Sequence, residues 1–192
     1  MKKYLTIGLV VLVIGIAKAQ EVKFGVKGGL NLMKISDEQV KGTSTVGFHL
    51  GGLAAIKLSD KFTLQPELLY STKGTKESYY GIEMKTNLSY IDLPIMAKYF
   101  IVEGLSVEAG PQIGYLVSAK GSSNSEYAVF ENNFKTIDYG LNLGTGYELK
   151  EGLLFQLRYY FGLADISKAI PYYDMNPKTH INGLQVSVGY KF

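Results

Sequence analysis

Residues 184–192 read LQVSVGYKF, and every second residue of this stretch is apolar. The alternation predicts a β-strand with one apolar and one polar face, and this strand runs to an aromatic carboxyl terminus. Chain ends of soluble domains are usually frayed, so an amphipathic strand at the very end needs a structural role. We interpret it as the closing strand of a barrel.

The rest of the chain repeats this pattern. Eight alternating segments cover 22–32, 44–58, 62–73, 86–100, 105–118, 135–149, 153–164 and 180–192. None has a sustained helical period, and abundant glycine also argues against helices. Tight turns at 59–61, 101–104 and 150–152 alternate with long polar connections at 33–43, 74–85, 119–134 and 165–179. This layout predicts an all-β fold, an eight-stranded antiparallel up-and-down transmembrane β-barrel with short periplasmic turns and longer outer loops.

Alternation alone does not decide whether the apolar face points inward, as in a soluble lipocalin-type barrel, or outward to lipid. Three observations favour lipid. The polar face is rich in glycine, which makes room inside a narrow barrel. It also balances its charges, as buried charges require. The apolar face carries aromatic residues near both strand ends, as two membrane interfaces favour. These are Phe62, Tyr99, Tyr147, Phe155, Tyr190 and Phe192 near the short turns, and Phe48, Tyr70, Tyr115, Tyr139 and Phe161 near the long connections.

An eight-stranded barrel is just wide enough inside for side chains, so we expect a plugged polar lumen and no general pore. The predicted lumen network is structural, and a proton or ion path along it is the alternative. Its members are Lys27, Lys57, Glu67, Asp92, Lys98, Glu108, Asp138, Glu148 and Arg158. Pro66, Pro94 and Pro111 fall inside predicted strands, where each removes a backbone donor, so we expect bulges or bent pairing there.

The amino terminus indicates export. Lys2 and Lys3 precede an apolar run from Leu5 to Ala17 and a small-residue site at 17–19, which predicts a signal peptide, 1–19, cleaved after Ala19. The run is too short to span a bilayer. Its removal leaves 17 of the 20 basic residues against 17 acidic ones, so no basic patch suggests nucleic acid. The mature domain, 20–192, has no cysteine and therefore no disulfide.

Seven stretches, which span essentially the whole mature chain, resemble the PorT-like outer-membrane β-barrel family of Bacteroidetes. They are residues 25–32, 64–74, 88–99, 109–116, 138–148, 158–166 and 188–192. The three prolines belong to these motifs. The resemblance implies an eight-stranded barrel in the bacterial outer membrane, and it implies little about activity. One branch of the family is linked to gliding and type IX secretion.

The leading functional hypothesis is a non-enzymatic barrel that displays four surface loops for recognition or envelope structure. A secretion component is the second. A lipid or peptide hydrolase at the outer rim is the third, since His180 opens the last strand and Asp165, Ser167 and Asp174 precede it. The spacing of this group matches no defined catalytic motif.

The expected partners are outer-membrane lipids, the barrel insertion machinery during assembly, and an unknown partner of the surface loops. By resemblance to outer-membrane barrels in general, Val188, Tyr190 and Phe192 form the carboxyl-terminal assembly signal. We expect a monomer with no catalytic residue and no cofactor. We also expect no metal or nucleotide site, because neither metal-ligand spacing nor a nucleotide-binding loop occurs.

Overall fold

The computed structural model describes residues 21–36, 43–79, 82–123, 126–129, 134–168 and 178–192. These residues form nine strands, each paired antiparallel with its neighbours. The strands are β1 (Val22–Ser36), β2 (Thr43–Lys57), β3 (Phe62–Tyr79), β4 (Ile82–Phe100), β5 (Leu105–Ser123), β6 (Glu126–Val129), β7 (Ile137–Glu148), β8 (Leu153–Gly162) and β9 (His180–Lys191). No helix within the described ranges is long and apolar enough to cross a membrane.

Eight of these strands close a ring. β1 pairs with both β2 and β9, while β4 pairs with both β3 and β5, so the order of the sheet returns on itself. The closing pair runs from Gly25 opposite Lys191 to Ser36 opposite His180. The short β6 pairs with β5 alone and lies outside the ring. The predicted closed eight-stranded antiparallel barrel is confirmed.

Two predicted connections are largely strand. β3 and β4 continue to Tyr79 and from Ile82, inside the predicted loop 74–85. β5 continues to Ser123 and pairs with β6, inside the predicted loop 119–134. Alternation of apolar and polar residues marks a strand only where one of its faces is apolar. The outer part of a hairpin needs no apolar face, so strand boundaries predicted from hydrophobicity end too early.

The predicted bulges do not occur at Pro66, Pro94 or Pro111, and the alternative of bent pairing there stays a prediction. The pairing of β3 with β4 has the same register at Pro66, opposite Ile95, as at Leu69, opposite Asp92. The pairing of β5 with β7 is likewise continuous through Pro111. Register shifts occur nearer the outer ends of the strands instead, between Ser44 and His49 and between Ser89 and Tyr90. The missing proline donors therefore interrupt hydrogen bonds without adding a residue to a strand.

The outward face is apolar, and all eleven aromatic residues assigned to the two belts are exposed on it. Cross-strand pairs hold neighbouring belt residues at one height, such as Phe62 opposite Tyr99 and Tyr147 opposite Phe155. The predicted leader, residues 1–19, lies outside the described residues, as do the loop residues Tyr80, Phe130, Tyr172, Tyr173 and Asp174.

Glycine on the inward face has a more specific role than spare room. A Cβ built on Gly29 would lie 1.9 Å from the backbone oxygen of Val186, and one on Gly51 would lie 2.0 Å from that of Leu68. No heavy atom fits at such distances, so these glycines permit the neighbouring strand to come close. Their absent side chains allow the tight curvature of a narrow barrel.

Candidate functional site

The middle of the lumen is filled by one charged cluster around Arg158, whose surface is 1% exposed. Its guanidinium donates to both carboxylate oxygens of Glu67, at 3.0 and 2.7 Å, and to Glu108 at 3.0 Å. The Lys27 ammonium lies 2.8 Å from Glu67 on the side of β1. Gln156 accepts a hydrogen bond from Lys27 at 3.0 Å and donates to Glu108 at 3.1 Å. This cluster, which we call the central layer, joins β1, β3, β5 and β8 across the barrel.

A second cluster lies nearer the outer end and is centred on Lys73. Its ammonium lies 3.2 Å from Asp92 and 3.2 Å from Asp138, and all three residues are buried. The same nitrogen stands 4.5 Å from the ring centre of Tyr90 and 4.8 Å from that of Tyr160, which are cation–π distances. Sequence reasoning missed Lys73 because it ends the predicted segment 62–73, whereas β3 continues past it.

The short-turn end has a third cluster. Lys98 and Lys191 each pair with one oxygen of Glu148, and Lys98 donates to Gln65 at 3.3 Å. The assignment of Lys57 to the lumen network is corrected, because its ammonium pairs with Asp60 at 2.9 Å in the exposed turn after β2. The alternation of β2 points Lys57 inward, but this residue lies at the short-turn opening of the barrel, where water takes the place of buried partners.

The lumen clusters balance their charge as a set. Arg158, Lys27, Lys73, Lys98 and Lys191 face five carboxylates. These are Glu67, Asp92, Glu108, Asp138 and Glu148. His49 joins the interior as well, through Asn31 at 2.8 Å and Ser187 at 2.8 Å. The arrangement cross-braces the strands, and no group of three His, Cys, Asp or Glu residues within the described ranges is placed to hold a metal ion.

The outer end of the lumen is apolar, which differs from the expectation of a polar lumen throughout. A buried cluster fills it, and Phe134 packs against this cluster. We call it the outer plug. Its members are Met33, Ile35, Leu88, Tyr90, Leu116, Ala119, Tyr160, Ala164, Ile166 and Ile181. The segment after β8 contributes Ala164 and Ile166, both buried, so it folds inward over the barrel mouth.

Asp165 holds this segment in place. One carboxylate oxygen accepts hydrogen bonds from the Ser167 amide at 3.1 Å, the Ser167 hydroxyl at 2.7 Å and the Thr179 amide at 3.1 Å. The other lies 2.6 Å from the Lys135 ammonium. Although partial burial opposes this effect, these donors stabilise the charged form and hold the pKa of Asp165 well below its usual range. We call this group the clasp.

The predicted rim group His180, Asp165 and Ser167 does not form a relay. A nucleophile relay needs the histidine between hydroxyl and carboxylate. Here the Ser167 hydroxyl donates directly to Asp165, and Nδ1 of His180 bonds to the backbone oxygen of Ala164 at 2.9 Å. Asp174 lies outside the described residues. The contacts of these three residues instead join the segment after β8 to the start of β9.

The carboxyl-terminal residues lie on the membrane-facing surface. Val188 and Tyr190 point outward from β9, and Phe192 is 70% exposed. The Phe192 amide donates to the backbone oxygen of Phe24 at 2.9 Å, so the chain is ordered to its last residue by pairing with β1. The ring of Phe192 lies 6.1 Å from that of Tyr190.

A closed barrel with an apolar outer face and a charged interior defines the class of integral outer-membrane barrels. The chain belongs to the family described as outer membrane protein beta-barrel domain, which matches residues 18–168. This places the protein in the bacterial outer membrane. No curated protein sequence matches significantly.

Several solved structures share the fold. Neisserial surface protein A is 15% identical, with a TM-score of 0.60 over 90% of this chain and 99% of that one. A major outer membrane protein from Thermus thermophilus is 14% identical, with a TM-score of 0.53 over 90% and 100%. The attachment invasion locus protein of Yersinia pestis is 13% identical, with a TM-score of 0.51 over 90% and 99%. These similarities concern the fold alone.

Proposed function

We propose that this protein is a non-enzymatic outer-membrane barrel with a plugged lumen that displays its outer loops for recognition or envelope structure. The observation that carries the proposal is the double closure of the interior. The central layer crosses the barrel with charged side chains, and the outer plug seals the mouth with apolar ones. A lumen filled in this way supports a scaffold in preference to a channel.

The outer extension of the strands supports a role in display. β3 and β4 have 18 and 19 residues, whereas about 9–11 suffice to cross a bilayer. The surplus of roughly eight residues corresponds to on the order of 25 Å of strand beyond the membrane. The outer ends of these two strands therefore extend beyond the lipid, where a partner can reach them.

Bilayer recordings and crosslinking test the two halves of this proposal. The purified full chain in a planar bilayer should show no steady ohmic conductance, and a stable open channel would contradict the plugged lumen.

In intact cells, crosslinking should capture a defined surface partner, and replacing residues 75–85 by a two-residue turn should abolish that capture. If the shortened variant loses no partner but weakens resistance of the envelope to detergent, the structural role is favoured over recognition.

A second candidate is a component of a type IX or gliding secretion apparatus. The observation that favours it is the resemblance of residues 64–74 and 88–99, among others, to PorT-like proteins of Bacteroidetes. Deleting the gene should then reduce the export of surface proteins while other barrels assemble normally. Unchanged export would exclude this role and leave the display role intact.

The proposal also holds that the protein has no catalytic activity and that its leader is cleaved. Each of these two points has its own test. Purified protein should turn over neither lipid A nor casein, because His180 is bonded to a backbone carbonyl. Turnover that His180→Ala abolishes would contradict the non-enzymatic role. Amino-terminal sequencing of the mature protein should give Gln20 as the first residue, directly after the proposed cleavage site.

A further inference from the structure

A groove of about 540 Å³ lies on the membrane-facing side of the barrel, near the outer ends of β1, β2, β8 and β9. Its walls include Leu32, Lys34, Ser44, Tyr159, Asn182 and Leu184. This volume is within the range of small-molecule sites in proteins. The groove faces the bilayer, because Leu32, Tyr159 and Leu184 belong to the exposed apolar surface.

The register divides the groove into an apolar and a polar row. Leu184 lies opposite Leu32 on one side and opposite Tyr159 on the other, so these three form one continuous apolar row. Two residues further toward the outer end, Lys34 lies opposite Asn182. The polar row therefore places the Lys34 ammonium and the Asn182 amide next to the apolar row, on its outer side.

The height of the polar row matches a membrane interface. Asn182 on β9 precedes Phe192, the residue directly after β9, by ten residues. Ten residues rise about 33 Å along a strand, which is about 25 Å across a membrane at the usual tilt of such barrels. The apolar band of outer-membrane barrels is about 25 Å tall. With Phe192 at the periplasmic interface, Lys34 and Asn182 lie at the outer one.

Two donors of the polar row have no partner among the described residues. Lys34 is half-buried, and its ammonium has neither an ion-pair nor a hydrogen-bond partner in the described part of the chain. The Gly162 amide donates to the side-chain oxygen of Asn182 at 3.1 Å, which fixes that oxygen and leaves the NH2 group available. A half-buried cation at a lipid interface is stabilised by an anion. At the height of the outer interface, lipid headgroups supply such an anion.

We propose that this groove binds a phosphate-bearing lipid of the outer leaflet. An acyl chain lies on Leu32, Leu184 and Tyr159, while a headgroup phosphate accepts hydrogen bonds from Lys34 and Asn182. The site goes beyond the proposed display role, since it depends on the orientation of the barrel and on none of the surface loops.

Native mass spectrometry of the full chain tests the proposal. The protein is titrated with lipid A carrying two phosphates and with the same lipid after dephosphorylation. We expect one phosphorylated lipid to be retained by the wild type and about tenfold weaker retention by Lys34→Gln, since a charge-assisted hydrogen bond to phosphate is lost. Lys34→Arg should retain the lipid. Lys120→Gln is the matched control, because Lys120 is an exposed lysine near the outer end of β5 and does not line this groove.

Heat-modifiable migration on a gel confirms that each variant is folded, and Leu184→Trp, which fills the groove, provides a second variant if Lys34→Gln fails to fold. Equal retention by the wild type and by the groove variants would overturn the site. Equal retention of the dephosphorylated lipid would overturn the role of the phosphate. Displacement by inorganic phosphate at the same concentration would show a site for free anions and would contradict a lipid site.

Discussion

Arg158 is the residue on which the central layer depends most. It is buried, and it pairs with two carboxylates on two other strands, Glu67 and Glu108. Arg158→Met would leave both acids short of a partner in an interior with little water, and breaking a buried pair in this way costs about 3–5 kcal/mol. We therefore expect a clear loss of stability when unfolding by urea is followed in lipid vesicles.

Lys150→Met is the control for that substitution. Its pair with Glu103 joins two exposed turns, where water solvates both charges and ion pairs contribute little. If both variants unfolded at the same urea concentration, the central layer would be packing material without a role in stability.

Gly51 and its neighbour Gly52 offer a matched test of the close strand approach. A Cβ at Gly51 would lie 2.0 Å from the backbone oxygen of Leu68, whereas at Gly52 the nearest atom is the backbone oxygen of Gly25 at 3.8 Å. Gly51→Ala should therefore impair assembly into membranes, and Gly52→Ala should be tolerated. Heat-modifiable migration measures the folded fraction of each. Equal assembly of both variants would show that the strands move apart easily.

At the level of the strands, alternation determines the face of a residue but not its height. The sequence was sufficient to predict the inward phase of Arg158, Glu67 and Glu108. It could not exclude Lys57 from the network or add Lys73, because the strand tilt and stagger decide which levels meet across a barrel. The outer plug was missed for a related reason. Its segment around Ile166 follows β8 as an irregular connection, and no period marks a connection that folds inward.

The last strand is held in the ring by its pairing with β1, and its outward face carries Val188, Tyr190 and Phe192. Deleting Phe192 removes the terminal aromatic residue and the amide that donates to Phe24. If this end is the signal read by the insertion machinery, the deletion should strongly reduce the amount of barrel in the outer membrane. Surface labelling of cells measures this amount.

Phe161→Ala is the control for the deletion, since Phe161 is also an exposed aromatic residue but belongs to the outer belt. This variant should reach the membrane at close to normal levels. Normal levels of the Phe192 deletion would contradict the assembly signal, and equally low levels of both variants would indicate a general need for interfacial aromatic residues.

In the whole molecule, the outer plug and the central layer are two barriers in series along one axis. The clasp holds the first barrier, because Asp165 ties the segment containing Ile166 to Lys135 and Thr179. Loosening the clasp should therefore open the mouth as far as the Lys73 cluster without making a channel, since the central layer still fills the lumen.

Asp165→Asn should reveal this order of barriers. Hydrogen exchange of the Ile166 and Lys135 amides should accelerate relative to the wild type, while the conductance stays at zero. Asp60→Asn, in the exposed turn at the opposite end, is the control and should change neither.

The pKa of Asp165 is lowered, so the stability that this residue contributes to the clasp is fully present above the usual aspartate pKa of about 4. This stability is lost as the pH falls through the lower folded value. Wild-type protection, corrected for intrinsic exchange, should accordingly persist from neutral pH to about pH 4 and weaken only below it. Protection in Asp165→Asn that equals the wild type at neutral pH would show that backbone hydrogen bonds alone hold the plug.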